Sequence, residues 1–234
     1  MSDPQTETVN PKSALLVAAL DNVPFDGWSD ATFQAAINET GVDATVARAV
    51  CPRGAADLAV AYHKQGDALM LAGLKTAKLG DMRYSERVAH AVRLRLEAAD
   101  KELVRRGTTL FALPQYAGDG IKLMWGTVDA IWDALGDTSD DVNWYTKRAT
   151  LSGVYTATIL FWLGDSSEGN ADTWDFLDRR IENVMQIEKL KAAARKSPTF
   201  SKVMAGPNWL LGHIKAPMRF PKADLPGSWT APRD

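Results

Sequence analysis

The sequence predicts an all-α fold, on three observations. Apolar residues recur at a period near 3.6, most plainly Ile121, Met124, Trp125, Val128, Ile131, Trp132 and Leu135. Strand signals are nearly absent: no run of alternating β-branched residues closes on an Asn-Gly or Asp-Gly hairpin turn. Caps and breakers divide the rest into helix-sized lengths.

In order, residues 1–10 read as a disordered arm. A first helix spans 11–23 and stops near Pro24. Ser29 caps a second, which ends at Gly41, and Asp43 caps a short third, which ends at Pro52. A long fourth helix covers 55–78. A fifth, heavily charged, covers 86–106 and closes at Gly107. Pro114 and the pair Gly118 and Gly120 break the chain before the periodic run 121–135. Helices over 141–164 and 171–195 follow. Beyond Pro198, five further prolines exclude a long regular helix. The expected organisation is an arm (1–10), a three-helix head (11–54), a larger helical domain (55–196) and a Pro-rich basic tail (197–234).

The chain has 234 residues, 46% of them hydrophobic, which suffices for a sizeable core, and a net charge of −2 that favours neither nucleic acid nor membrane. The charge is uneven. From residue 188 onward there are nine Lys/Arg against three acids. Cys51 is the only cysteine, so no intrachain disulfide forms, as in a reducing compartment. The polar start MSDPQTETVN is unlike a signal or transit peptide, and no run approaches the roughly 20 apolar residues of a membrane span. A cytoplasmic protein is expected.

Catalytic constellations are missing. His63, His90 and His213 sit on separate elements without ligand spacing. Glu86 and His90 are an i, i+4 pair on a charged helix and do not make a di-iron set. No Gly-rich phosphate loop, Gly-x-Ser-x-Gly or Cys-x-x-Cys occurs, and Cys51 reads as a small buried hydrophobe. No catalytic residue, metal or cofactor is expected.

The stretch DTSDDVNWYTKR (137–148) is the least ordinary. Ser139 or Asp140 can cap the helix that starts there, and Asp140 and Asp141 complement its positive end. The apolar stripe Leu151, Val154, Tyr155, Thr158, Phe161 and Trp162 traces back through Arg148 to Trp144, and Tyr145 lies about 100° off it. Two readings stand: peripheral aromatics covering the bundle end, or a partner-docking surface. Ile131 and Trp132, adjacent and bulky, are not expected to share one face. Five of the eight tryptophans fall between 125 and 174, which fits an apolar cavity, a sticky face or an aromatic-rich core.

The first three helices and the long fourth have the layout of TetR-type regulators, a helix-turn-helix head on a helical ligand-binding domain. A DNA-binding repressor is the alternative reading. Its head, however, holds only Arg48 and Arg53 between Trp28 and Tyr62, against Asp30, Glu39, Asp43 and Asp57.

Four segments resemble the ubiquinone (coenzyme Q) biosynthesis accessory protein family, Coq-nine. They are GWSDATFQAA, CPRGAADLAVAYHKQGD (similar to the bacterial form), DTSDDVNWYTKRATLSGVYTATILFWLGDSS and DTWDFLDRRIENVM. The resemblance covers about 12–190. It implies a TetR-like homodimer without DNA binding, whose larger domain holds an isoprenoid quinone lipid. It implies a non-enzymatic role: presenting that lipid to the di-iron demethoxyubiquinone hydroxylase. Periodicity nominates Leu69, Leu74, Leu94, Met124, Val128, Leu151, Tyr155, Phe161, Leu177, Ile181 and Val184 as buried, and the resemblance makes them the lipid pocket's walls. It places the hydroxylase contact on Trp144 and Tyr145, extended to Ile131, Trp132 and Arg148. It gives the tail a peripheral membrane contact, for which the sequence offers Phe200, Trp209, Leu210 and Leu211 among basic residues; the alternative is that these residues fold back onto the dimer or cover the pocket mouth. The expected location is the bacterial cytoplasm, at the face of the inner membrane.

Overall fold

The computed structural model describes residues 10–195 and 215–217, with side chains in the last helix described as far as Ile187. Among the described residues there is no strand. The head opens with α1 (Pro11–Leu20), where Asn10 accepts from the Lys12 N–H and Pro11 fills the first turn. Pro24 does not simply end this helix. It sits in the first turn of a separate short helix, α2 (Val23–Asp26), where a missing N–H costs nothing. Then come α3 (Asp30–Thr40), capped by Ser29, and α4 (Ala44–Val50). Asp43 accepts from the N–H groups of Thr45 and Val46, which holds its carboxyl below the usual range.

The body runs α5 (Ala55–Thr76), α6 (Tyr84–Glu97), α7 (Lys101–Phe111), α8 (Ala117–Ala134), α9 (Val142–Gly164), a 3-10 turn (Glu168–Asn170) and α10 (Ala171–Arg195). The single helix expected over 86–106 is two. Asp100 accepts from the N–H groups of Glu102 and Leu103 and starts α7 afresh. Gly107 does not close a helix but lies within α7, and Gly118 and Gly120 lie within α8. Gly120 permits a close approach instead: a Cβ there would stand 3.0 Å from that of Phe111.

Two apolar cores result. The first joins Leu15, Phe33, Ile37, Ala47 and Cys51 of the head to Leu58 of α5 and Leu103 and Leu110 of α7. The second lies among α5, α6, α8, α9 and α10, around Met70, Val92, Val128, Ile131, Tyr155, Trp162 and Leu177. The end of α8 and the start of α9 meet at the edge of this second core.

Candidate functional site

The start of α9 is organised by a buried cation. Arg148 is wholly inaccessible to solvent. Its Nε donates to Asp129 at 2.5 Å, and its terminal nitrogens reach Asp137 at 3.0 Å, Asp133 at 3.4 Å and the Trp144 carbonyl at 3.2 Å. Asp129 and Asp133 lie one turn apart on α8, and Asp137 follows in the turn after the helix, beyond Gly136 with its positive φ. Lys147 adds bonds to Asp137 and to the Ser139 hydroxyl, both at 2.7 Å. Burial raises the Asp137 carboxyl, but hydrogen bonds from Lys147, Ser139 and Arg148 outweigh that and hold it at about 2. This network pins the loop that precedes α9. Asp141 caps the helix, where Ser139 or Asp140 was expected.

On this base stand the aromatics. The Arg148 guanidinium lies 4.0 Å from the centre of the Trp144 ring, which Tyr145 meets edge-on at 4.7 Å. Trp144 is 6% exposed and Tyr145 36% exposed, as the one-residue rotation between them requires. Ile131 and Trp132 are both buried, contrary to the sequence expectation, because α8 is covered by α5, α6 and α9 together. Of the five residues the resemblance gives to the partner, Tyr145 is thus the one a partner reaches broadly. Trp132 and Trp144 offer edges, and Ile131 and Arg148 lie beneath. The indole N–H groups of Trp132 and Trp144 have no hydrogen-bond partner among the described residues.

Beside this surface opens an apolar cavity of about 290 Å³ among α6, α8, α9 and α10. Val88, Leu151, Val154, Ile181 and Val184 form its apolar wall. Trp132, Tyr84, Ser85, Asn143, Thr146 and Lys147 supply its polar side. Such a volume lies at the small end of ligand cavities and fits a ring or a short apolar chain.

The eleven residues expected around one pocket are spread over several places. Leu151, Ile181 and Val184 line the cavity just described. Met124 and Tyr155 line a second cavity of about 320 Å³ among α5 to α9, bordered by Trp28 of the head. Leu177 borders a shallow depression beside Trp174. Leu74 and Val128 are buried in the second core, and Leu94 packs on it. Leu69 and Phe161 were expected to be buried but are 52% and 38% exposed. Each stands about 100° from a neighbour that takes the inward position, Met70 and Trp162. The tail residues Phe200, Trp209, Leu210 and Leu211 lie outside the described residues.

The second cavity borders a polar cluster that links α5, α6 and α8. Arg95, nearly buried, donates to Asp67 at 2.7 Å and to the His63 carbonyl at 3.0 Å. Thr127 donates to Asp67 at 2.9 Å, and His63 Nε2 lies 2.8 Å from the Thr127 hydroxyl. Gly66 makes room, since a Cβ there would stand 2.6 Å from the guanidinium. Burial, aided by the Arg95 charge, lowers the His63 imidazole to about 4, so it is neutral at pH 7. The Tyr155 hydroxyl is pushed up to about 12 by burial.

In the head, Arg48 pairs with Asp30 at 2.8 Å and covers the Phe33 ring, and Arg53 binds Asp57 and Asp119. Both arginines between Trp28 and Tyr62 thus already face carboxylates.

Sequence reasoning missed Asp129, Asp133, Asp137, Lys147 and the cavity's Tyr84, Asn143 and Thr146. The four-residue spacing of the three acids, opposite Lys147 and Arg148, was the signal that could have found the network.

Comparison with known proteins bears on the same region. Residues 117–188, from the first residue of α8 into α10, match the family model COQ9. Curated relatives include the mitochondrial ubiquinone biosynthesis protein COQ9 of Rattus norvegicus, 32% identical over 74% of this chain and 58% of that protein. COQ9-A of Xenopus laevis is 36% identical over 74% of this chain and 57% of its own length. The chain therefore spans somewhat under two thirds of the curated relatives it matches. These relatives are named mitochondrial, which overturns the expected bacterial cytoplasmic location. Among the described residues no helix is long and apolar enough to cross a membrane. A TetR transcriptional regulator from Nitrosomonas europaea superposes with a TM-score of 0.61, covering 73% of this chain and 95% of its own at 21% identity, a likeness of fold alone. The resemblance read from the sequence agrees with these findings: the chain is similar to the ubiquinone biosynthesis COQ9 proteins, with the match to the COQ9 family model at 117–188 on a TetR-like helical fold.

Proposed function

We propose that the chain is a non-enzymatic accessory protein of ubiquinone biosynthesis. It binds an isoprenoid quinone precursor in the cavity beside α9 and presents it to the demethoxyubiquinone hydroxylase, docked on the surface around Tyr145. One observation carries this reading: the cavity and the aromatic surface share the first turns of α9. Asn143, Thr146 and Lys147 line the cavity, while Trp144 and Tyr145, between them in sequence, form the surface. A bound ring at the polar side would thus lie next to the docked partner.

The active form in this reading is a homodimer. From Ala149 through Gly164 the chain has no charged residue, yet Ala149, Gly153, Thr156 and Leu160 are exposed along one face of α9. A neutral face with small residues suits a second copy of the chain.

The test is organic extraction of the purified protein followed by mass spectrometry. An isoprenoid quinone-type lipid is expected in the wild type and strongly reduced amounts in Val154→Trp, which fills the cavity. Protein that never carries such a lipid, or Val154→Trp carrying as much, contradicts the assignment.

A further inference from the structure

Residues 215–217 of the tail lie against the start of α9. The Ala216 N–H donates to the Asp140 carbonyl at 2.8 Å, and the Tyr145 hydroxyl donates to the Lys215 carbonyl at 3.4 Å. The Lys215 carbonyl and the Ala216 N–H belong to one peptide unit. Both of its polar groups are therefore satisfied by the same surface, on either side of that unit. Such contacts read backbone, not side chains, and require an extended segment. Pro217 supplies that shape, because the residue before a proline is held away from helical conformation. Little conformational freedom is then left to lose on docking. Charge agrees: Lys215 is the charged residue of the segment, and the exposed Asp140 and Asp141 flank the contact.

We infer that the start of α9 is a reader of extended peptide, and that its resident occupant is this chain's own segment at 215–217. The segment covers part of Tyr145, the most accessible aromatic of the proposed docking surface. A partner that docks there must displace it, so the tail lowers the partner's apparent affinity. The competition rests on the docking role proposed above; the seating of the segment does not.

The two parts are tested separately in the full chain. A single solvent-facing hydrogen bond of this kind slows amide exchange by roughly two- to tenfold. The Ala216 amide should exchange that much more slowly than in a free peptide of the same sequence, and return toward the free rate in Tyr145→Phe. Free-peptide exchange in the wild type overturns the seating. Ala216→Pro deletes the donated N–H and leaves the helical body untouched. It should raise hydroxylase affinity by roughly the same two- to tenfold. Unchanged or weaker binding overturns the competition, the latter by making the tail part of the docking surface. A hydroxylase that binds no form of the chain overturns the docking role itself, while the exchange rate still decides whether the segment is seated.

Discussion

The two ends of this molecule solve the same problem, burying helices against each other, with opposite means. The head closes an apolar core around Leu15, Phe33, Ile37 and Cys51, and its two arginines sit outside on carboxylates. The α8–α9 end buries an arginine completely among three aspartates and leaves Tyr145 half in water. An apolar head needs nothing from a partner. A buried cation, with two indole N–H groups nearby that have no hydrogen-bond partner among the described residues, is poor packing for its own sake. Such an arrangement fixes geometry, and here it fixes the base of an exposed aromatic. The fold resembles that of a TetR transcriptional regulator, but its physical peculiarities have gathered at the end away from the head.

The largest expected effect tests that contrast. Arg148→Ala leaves the buried Asp137 with Lys147 as its remaining cation, takes a partner of Asp129 and Asp133 away and removes the support of the Trp144 ring. It should cost about 3–5 kcal/mol, as for other broken buried ion pairs. Phe33→Ala, in the head, should cost a similar 3–5 kcal/mol by opening a cavity. Denaturant unfolding measures both. The two separate on hydroxylase binding: Arg148→Ala should abolish it, and Phe33→Ala should preserve it in whatever fraction remains folded.

A smaller effect concerns the polar cluster between the two cores. His63 is neutral in the fold at about 4, below its unfolded value near 6.5. The unfolded chain therefore binds the proton first as pH falls. Stability from this group is full above about pH 6.5 and is lost progressively down to pH 4, by about 3 kcal/mol at most. His63→Gln should flatten that part of the pH–stability curve. An unchanged slope would mean that other groups carry the acid sensitivity.

The smallest effect belongs to the head's surface. Arg48→Ala breaks an exposed pair and should change stability by less than about 1 kcal/mol. It should also leave hydroxylase affinity unchanged. A large loss of partner binding from Arg48→Ala would place the working surface at the head and dissolve the contrast.

The all-α class and most helix positions were legible because caps and periodicity are local properties. Ser29, Asp43 and Gly41 act as their residue types suggest. The failures were equally physical. Gly107, Gly118 and Gly120 looked like breakers, but glycine inside a helix also permits close packing, and only a tertiary neighbour such as Phe111 distinguishes the two. Tyr145 was correctly placed off the inward stripe. Ile131 and Trp132 were not separable by periodicity, because a helix covered on several sides has no single buried face. Three acids spaced by four residues could equally have been a solvated stripe. Whether they meet a buried arginine depends on a helix that starts several residues later. The division of the expected pocket into two cavities depends on side-chain volumes at helix crossings, which no sequence period encodes.

The most direct test of the central claim is the affinity of the demethoxyubiquinone hydroxylase for wild-type protein and Tyr145→Ala, measured by titration alongside thermal unfolding. Tyr145 is exposed and contributes little to either core, so the melting temperature should stay within a few degrees. Loss of a hot-spot aromatic of about 2 kcal/mol predicts binding weakened roughly thirtyfold. Equal affinity for both proteins, at equal stability, would contradict the claim that the start of α9 is where this molecule meets its partner.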